Sequence, residues 1–237
     1  AAGRMREAAD IERRAGAQRA AVREHLIAPD GLPAGLEADG TPTRARTVHD
    51  QVLAVMLDLV PERSASLIAD WLLPCLRGVD TGAATPSPFW ATYLIDVMAA
   101  HGHGIDCLAY IRRGWAPMLA TGTTWEFWDH HPSRGTVSHA WSAHPCHHLV
   151  RILLGIRQSA PAWQRISLRP VFPPDLDHAE AAIPTPSGTI ASRWRRADRD
   201  VTLTLETPDD VIADIALPDG QLNLPPEPGH PFKRVSA

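Results

Sequence analysis

At Gly155 the hydrophobic pattern of this 237-residue chain changes period, and that change constrains its fold more than any motif does. Before Gly155 the apolar residues recur at helical spacing. After it they alternate, as they do on strands with one buried face. The pattern predicts a mainly α fold with a C-terminal all-β part. Helices are expected over 4–27, Gln51–Val60, Glu62–Leu76 with an interruption at Pro74, Phe89–His101, Ile105–Leu119 and about Ser142–Leu154. Val52, Met56 and Leu59 share one face of the second. Gly155 then acts as a stop signal. Strands are expected over Trp163–Val171, Ala179–Ile183, Thr189–Arg196, Val201–Glu206 and Val211–Leu217, with Ser187-Gly188 marking a turn. Short strands in succession with polar turns suggest a small antiparallel β-sandwich. The domain boundaries read from this are 1–158 helical, 159–221 sandwich and 222–237 a polar, Pro-containing tail expected to order poorly.

Composition excludes several classes. A formal net charge of −4 argues against a nucleic-acid-binding surface. No run of eighteen apolar residues exists to span a membrane. Cys75, Cys107 and Cys146 are odd in number and far apart, which fits reduced thiols and not a disulfide framework. No signal peptide is visible, which favours the cytoplasm. The start, Ala1-Ala2-Gly3-Arg4, lacks Met and runs straight into helix-like sequence, so it is read as cut. No phosphate loop, dinucleotide fingerprint or Gly-x-Ser-x-Gly elbow occurs, and no cofactor is expected.

Chemistry concentrates in Thr121–Asp129 and Ser138–Trp141. Glu126 lies between Trp125 and Phe127-Trp128, and His139 and Trp141 follow; three of the chain's eight Trp fall within seventeen residues. Aromatic faces beside a carboxylate suit a sugar-cleaving pocket: the apolar face of a pyranose stacks on the rings while the carboxylate handles a proton. The competing reading is a buried aromatic core with a structural ion pair at Glu126. The long connection over 120–141 favours a site, because long loops in helical arrays often carry function. His139 is the candidate for orienting a water or holding a sugar hydroxyl. Trp90, at a loop-to-helix junction in Pro88-Phe89-Trp90, is a candidate to share that cavity, although core packing is as good a reading of it. Asp50 reads as an N-cap, or else its neighbour His49 faces a pocket.

A metal reading is weaker. His144, His147 and His148 have i, i+3, i+4 spacing, with His130 and His131 nearby, but no His-Glu-x-x-His pattern or Cys pair joins them. No metal is expected. Cys146 beside His147 points to a different helix face, which disfavours a Cys–His nucleophile.

Taken in order, these segments resemble the C-terminal part of bacterial α-L-rhamnosidases, the family 78 glycoside hydrolases. The resemblance runs through Thr47-Val48-His49-Asp50-Gln51, Pro88-Phe89-Trp90-Ala91-Thr92-Tyr93, Arg113–Leu119, Thr123-Thr124-Trp125-Glu126, Ser138–Ser142, Ile166–Pro170 and Thr185–Trp194. It implies an (α/α)6 barrel of the six-hairpin glycosidase type followed by a β-sandwich, and inverting hydrolysis of terminal α-L-rhamnosides. It further implies Glu126 as general base and His139 as a sugar-binding residue; Trp125, Trp90, Trp128 and His49 are the further substrate-binding candidates that the residue pattern offers. The implied partner is an L-rhamnose-containing glycoside. The family's acidic motif with the general acid has no counterpart here, and about six helices are read where a full barrel has twelve. The chain is therefore expected to be the second half of the barrel plus the sandwich, inactive alone. It is also expected to associate through apolar faces such as that of Phe89–Ala99. A non-catalytic carbohydrate-binding fragment and another (α/α)6 glycosidase are the alternatives.

Overall fold

Thr47 starts the first core helix, and it does so by side-chain chemistry. Its Oγ1 accepts the Asp50 backbone N–H at 3.1 Å and donates to Asp50 Oδ2 at 2.5 Å. The cap is therefore Thr47, and Asp50 is its reciprocal partner in the first turn, which corrects the assignment of Asp50 as the cap. The computed structural model describes residues 4–130, 133–198, 200–217 and 235–236. Its described residues divide into two compact units, Ala1–Ser142 and Ala143–Ala237.

The first unit is helical: α1 Met5–His25, α2 Val48–Met56, α3 Ser64–Leu67, α4 Leu73–Arg77, α5 Ala91–Ala100 and α6 Gly104–Trp115. Between α3 and α4 the chain widens into a π-type turn, Ile68–Leu72. Pro74, one residue into α4, lacks the N–H that would bond one turn back, so the helix loosens ahead of it. Helix α5 packs on α2 and α6 and buries Ala91, Leu94, Ile95, Val97 and Met98. The expectation that this face lies open is thus corrected. Large exposed apolar side chains among the described residues include Met5 and Ile11 on α1, Leu119 and Trp141 on short 3-10 turns, and Tyr93 on the outer side of α5. The fully buried amide of Gln51 is saturated. Its Nε2 donates to the Leu32 and Thr47 carbonyls at 2.7 and 3.2 Å, and its Oε1 accepts Leu32 N–H at 2.9 Å. One residue of α2 therefore clamps the preceding loop.

The second unit begins with α7 Pro145–Leu153, turns at Gly155, and continues as β1 Ile156–Gln158, β2 Arg165–Leu168, β3 His178–Thr185, β4 Gly188–Ala197, β5 Asp200–Glu206, β6 Ile212–Ile215 and β7 Val235–Ser236. Two sheets form, β1-β2-β6 and β3-β4-β5-β7. All pairings are antiparallel except β2 with β6, which run parallel. Inward residues of both sheets, including Ile166, Leu168, Ile190, Trp194 and Leu203, close one core. Trp194 is fully buried, and its Nε1–H reaches the Leu153 carbonyl at 2.8 Å. The tail over 222–237 lies outside the described residues, apart from the two of β7.

Candidate active site

The loop after α6 builds the candidate site by folding back on itself. Glu126 N–H donates to the Thr136 carbonyl at 3.0 Å, and Thr136 N–H returns to Glu126 Oε2 at 2.9 Å. Thr136 Oγ1 also lies 3.4 Å from Oε2 and 2.9 Å from His139 Nδ1. His139 is held at its backbone. Its N–H donates to Thr124 O at 2.7 Å, and its carbonyl accepts from Thr124 Oγ1 at 2.7 Å. Glu126 Oε2 and His139 Nδ1 stand 3.9 Å apart, with side chains 35% and 24% exposed, so both reach solvent from fixed positions. Gly135 makes the return possible. Its φ is +74°, and a Cβ there would lie 2.6 Å from the Phe127 ring and 3.3 Å from Glu126 Oε2. Arg134 spans the outside of the turn, bonded to both Asp129 oxygens and lying 4.9 Å from the Phe127 centroid.

The structure thus brings Glu126 and His139 together. Trp141, 67% exposed, extends the group: its ring lies 5.8 Å from His139 and 5.0 Å from Phe89. A recess of about 510 Å³ beside His139 is lined by Trp115, Leu119, Thr123, Thr124 and Ser138, among others.

The other aromatic candidates are placed differently. Trp125 is only 7% exposed. Its Nε1–H donates to Thr121 Oγ1 at 2.8 Å, and its ring lies 5.2 Å from that of His130. Trp128 donates to Pro86 O at 2.7 Å and packs edge-on against Trp115 at 4.8 Å and Tyr110 at 6.0 Å. Its ring lies over Gly114, where a Cβ would come within 2.7 Å. Both indoles thus anchor the loop to the helices beneath it. Trp90 and His49 form a group of their own, with ring centroids 4.3 Å apart and Tyr93 5.0 Å from Trp90. Burial holds the His49 imidazole below its usual range, against the opposing charge of Asp50. Thr136, the residue that bridges Glu126 and His139, carries no signal in the sequence: a lone Thr in a polar loop looks like any other.

On α7, His148 lies 5.1 and 5.3 Å from the rings of His144 and His147. Burial first, and then the charges of His144, His147, Arg151 and Arg157, push its imidazole down from 6.5 to about 3. The unfolded chain therefore binds a proton there that the folded unit refuses until about pH 3. Stability from this group is complete above pH 6.5 and falls as pH drops through that window, by on the order of a few kcal/mol. Chemical denaturation followed by the Trp194 signal at pH 7 and pH 4.5 should show the loss, and His148→Gln should flatten it. An unchanged pH slope in that variant would refute the assignment.

Helices followed by a two-sheet β unit, with a carboxylate–histidine loop after α6, define a six-hairpin glycosidase region joined to a C-terminal β domain. Residues 1–153 match the bacterial α-L-rhamnosidase 6 hairpin glycosidase domain, and residues 155–230 the bacterial α-L-rhamnosidase C-terminal domain. The chain belongs to the bacterial α-L-rhamnosidase family. It is similar to the structure of a GH78 family rhamnosidase of Bacillus sp. GL1 (27% identity, TM-score 0.78, covering 92% of this chain and 24% of that one). Its fold is also that of Streptomyces avermitilis α-L-rhamnosidase complexed with L-rhamnose (20% identity, TM-score 0.65, covering 86% and 22%). An α-L-rhamnosidase of Alteromonas sp. (strain LOR) is 24% identical over 190 residues, 70% of this chain and 20% of its own length. The chain spans about a fifth to a quarter of these relatives' length.

Proposed function

We propose that this chain supplies the general-base side of an inverting α-L-rhamnosidase. Glu126 deprotonates the attacking water, and His139 fixes that water or a sugar hydroxyl. Trp141 and the recess beside His139 receive the pyranose; Trp125 and Trp128 serve it by anchoring the loop that carries Glu126, and Trp90 with His49 forms a second aromatic wall of the sugar site. The general acid comes from residues outside this chain.

The observation that carries the reading is the Thr136 bridge. A base must present a carboxylate oxygen in a fixed direction before the water arrives, because positioning contributes heavily to the rate. Two donors from one residue hold Oε2 of Glu126, and the same hydroxyl contacts His139. Inversion requires the acid across a gap of roughly 6.5–9.5 Å, wide enough for the water.

The 237-residue chain alone is expected to release no nitrophenol from 4-nitrophenyl α-L-rhamnoside. Release would overturn the assignment of the acid elsewhere. A longer chain that includes the acid-bearing segment is expected to give β-L-rhamnose as the first product by proton NMR. The α anomer appearing first would exclude inversion.

A further inference from the structure

The outer face of the second sheet carries a recess that the chemistry above does not use. Alternation fixes which side chains form it. Leu203 and Leu205 of β5 and Ile190 and Trp194 of β4 point into the core, so Thr204, Glu206, Ala191 and Arg193 point outward. The strand register sets them in two rows. Glu180, Arg193 and Thr204 stand side by side across β3, β4 and β5, and Ala182, Ala191 and Glu206 form the next row on the same face. All six line a recess of about 420 Å³.

Thr204 shows that this hollow is built into the sheet. Thr202, the preceding outward residue of β5, is exposed, whereas Thr204 is only 9% exposed. Its hydroxyl makes no hydrogen bond among the described residues. A hydroxyl this enclosed, without a protein partner, is a bonding position that a ligand entering the recess would fill.

The rim supplies both acceptors and a donor. Arg193 Nη2 lies 3.8 Å from Glu206 Oε1, near enough for attraction but beyond hydrogen-bond length. Glu180 faces Arg193 across the β3–β4 register, and its carboxylate makes no hydrogen bond or ion pair among the described residues. Ionised carboxylates only accept, and a guanidinium only donates. The adjoining floor differs: Ala182 and Ala191 lie side by side and offer methyl groups alone. Glu180 and Glu206 stand at opposite corners of the group, their Cα atoms about 12 Å apart by strand spacing and rise.

This arrangement selects among ligand classes. A metal cation needs its carboxylates gathered within bonding distance and would meet the Arg193 charge. An inorganic anion would meet two carboxylates. A neutral polyol suits both signs, because each hydroxyl can donate to a glutamate and accept from the guanidinium. The methyl-lined half of the floor adds a place for an apolar substituent on the same ring. We propose that this recess is a non-catalytic site for a 6-deoxypyranose. Glu180, Arg193, Glu206 and Thr204 bind ring hydroxyls, and the C6 methyl rests on Ala182 and Ala191. The choice of rhamnose among such sugars rests on the rhamnoside reading above; the recess itself does not.

The test is a proton–nitrogen NMR titration of the 237-residue chain with L-rhamnose, L-mannose, calcium and inorganic phosphate, following the Ala191 and Thr204 amides. L-Mannose has the same ring with a hydroxymethyl group in place of the methyl. Saturable shifts with a millimolar midpoint are expected for L-rhamnose, with L-mannose about fivefold weaker and both ions weaker still. Glu180→Gln and Arg193→Gln should each weaken rhamnose about tenfold, and Ala191→Leu should abolish binding by filling the floor. Circular dichroism checks that the three variants fold. His139→Ala should leave these shifts unchanged, because His139 belongs to the site proposed for hydrolysis; the two proposals therefore stand or fall separately. Absence of rhamnose binding, equal binding of L-mannose or of either ion, full affinity in Ala191→Leu, or loss of the shifts in His139→Ala would each overturn this one.

Discussion

Glu126→Gln is expected to lower kcat for α-L-rhamnoside hydrolysis about 10²–10⁴-fold, the usual worth of a general base. KM should change little. Gln keeps the shape of the side chain, and its amide oxygen still accepts the Thr136 N–H that holds Oε2 at 2.9 Å. What it loses is the ability to take a proton from water. The measurement needs a chain that includes the acid-bearing segment. Azide supplies the discriminating control, because it is a nucleophile that requires no deprotonation. Added azide should restore turnover in the Gln variant and yield the β-configured glycosyl azide. Full activity of Glu126→Gln would refute the base assignment outright. A loss that azide does not rescue, with KM raised, would make Glu126 a structural residue of the loop.

Gly155→Ala is the second large effect, and it falls on stability. Gly155 has a φ of +70°, and a Cβ there would lie 2.1 Å from the Arg169 carbonyl carbon and 2.2 Å from Pro170 N. Both contacts are with backbone, so no rotamer change relieves them. The Gly155 carbonyl also accepts the Arg169 N–H at 3.0 Å, which ties the start of β1 to the end of β2. Overpacking costs roughly 1–3 kcal/mol, and a non-glycine residue at positive φ about 1 more, so the loss should be roughly 2–4 kcal/mol. In a unit near 100 residues each kcal/mol is worth roughly 4–8 °C of Tm. Thermal denaturation followed through the buried Trp194 should therefore shift by more than about 10 °C. A shift below about 3 °C would mean that the α7–β1 turn relaxes freely.

Some of this was legible in the residues. Helix and strand positions follow from period, because each element buries one face and a buried face repeats at the element's own spacing. The stop at Gly155 and the loosening ahead of Pro74 follow from what those two residues do to the backbone. The pairing of Glu126 with His139 was suggested by their place on one long loop. Thr136 was not legible, because its part depends on a turn at Gly135 that returns the chain to Glu126. The parallel run of β6 beside β2 was hidden for a similar reason: alternation says which face is buried and nothing about which strand lies alongside. The burial of α5 was misjudged because a count of helices does not say which neighbours cover which face.

The ring that Glu126 closes with Thr136 joins two residues ten positions apart on a single loop. Both ends of that hydrogen-bonded ring come from one loop, which Trp128 anchors to Pro86 and to the helix beneath it. The direction of the Glu126 carboxylate is thus set largely within one short stretch, whereas on the role proposed above its distance to an acid partner depends on residues outside it. On the proposed roles, substitutions that spoil the two should look different: damage to the loop misdirects Glu126 in place, and damage elsewhere leaves it well aimed but facing a displaced partner.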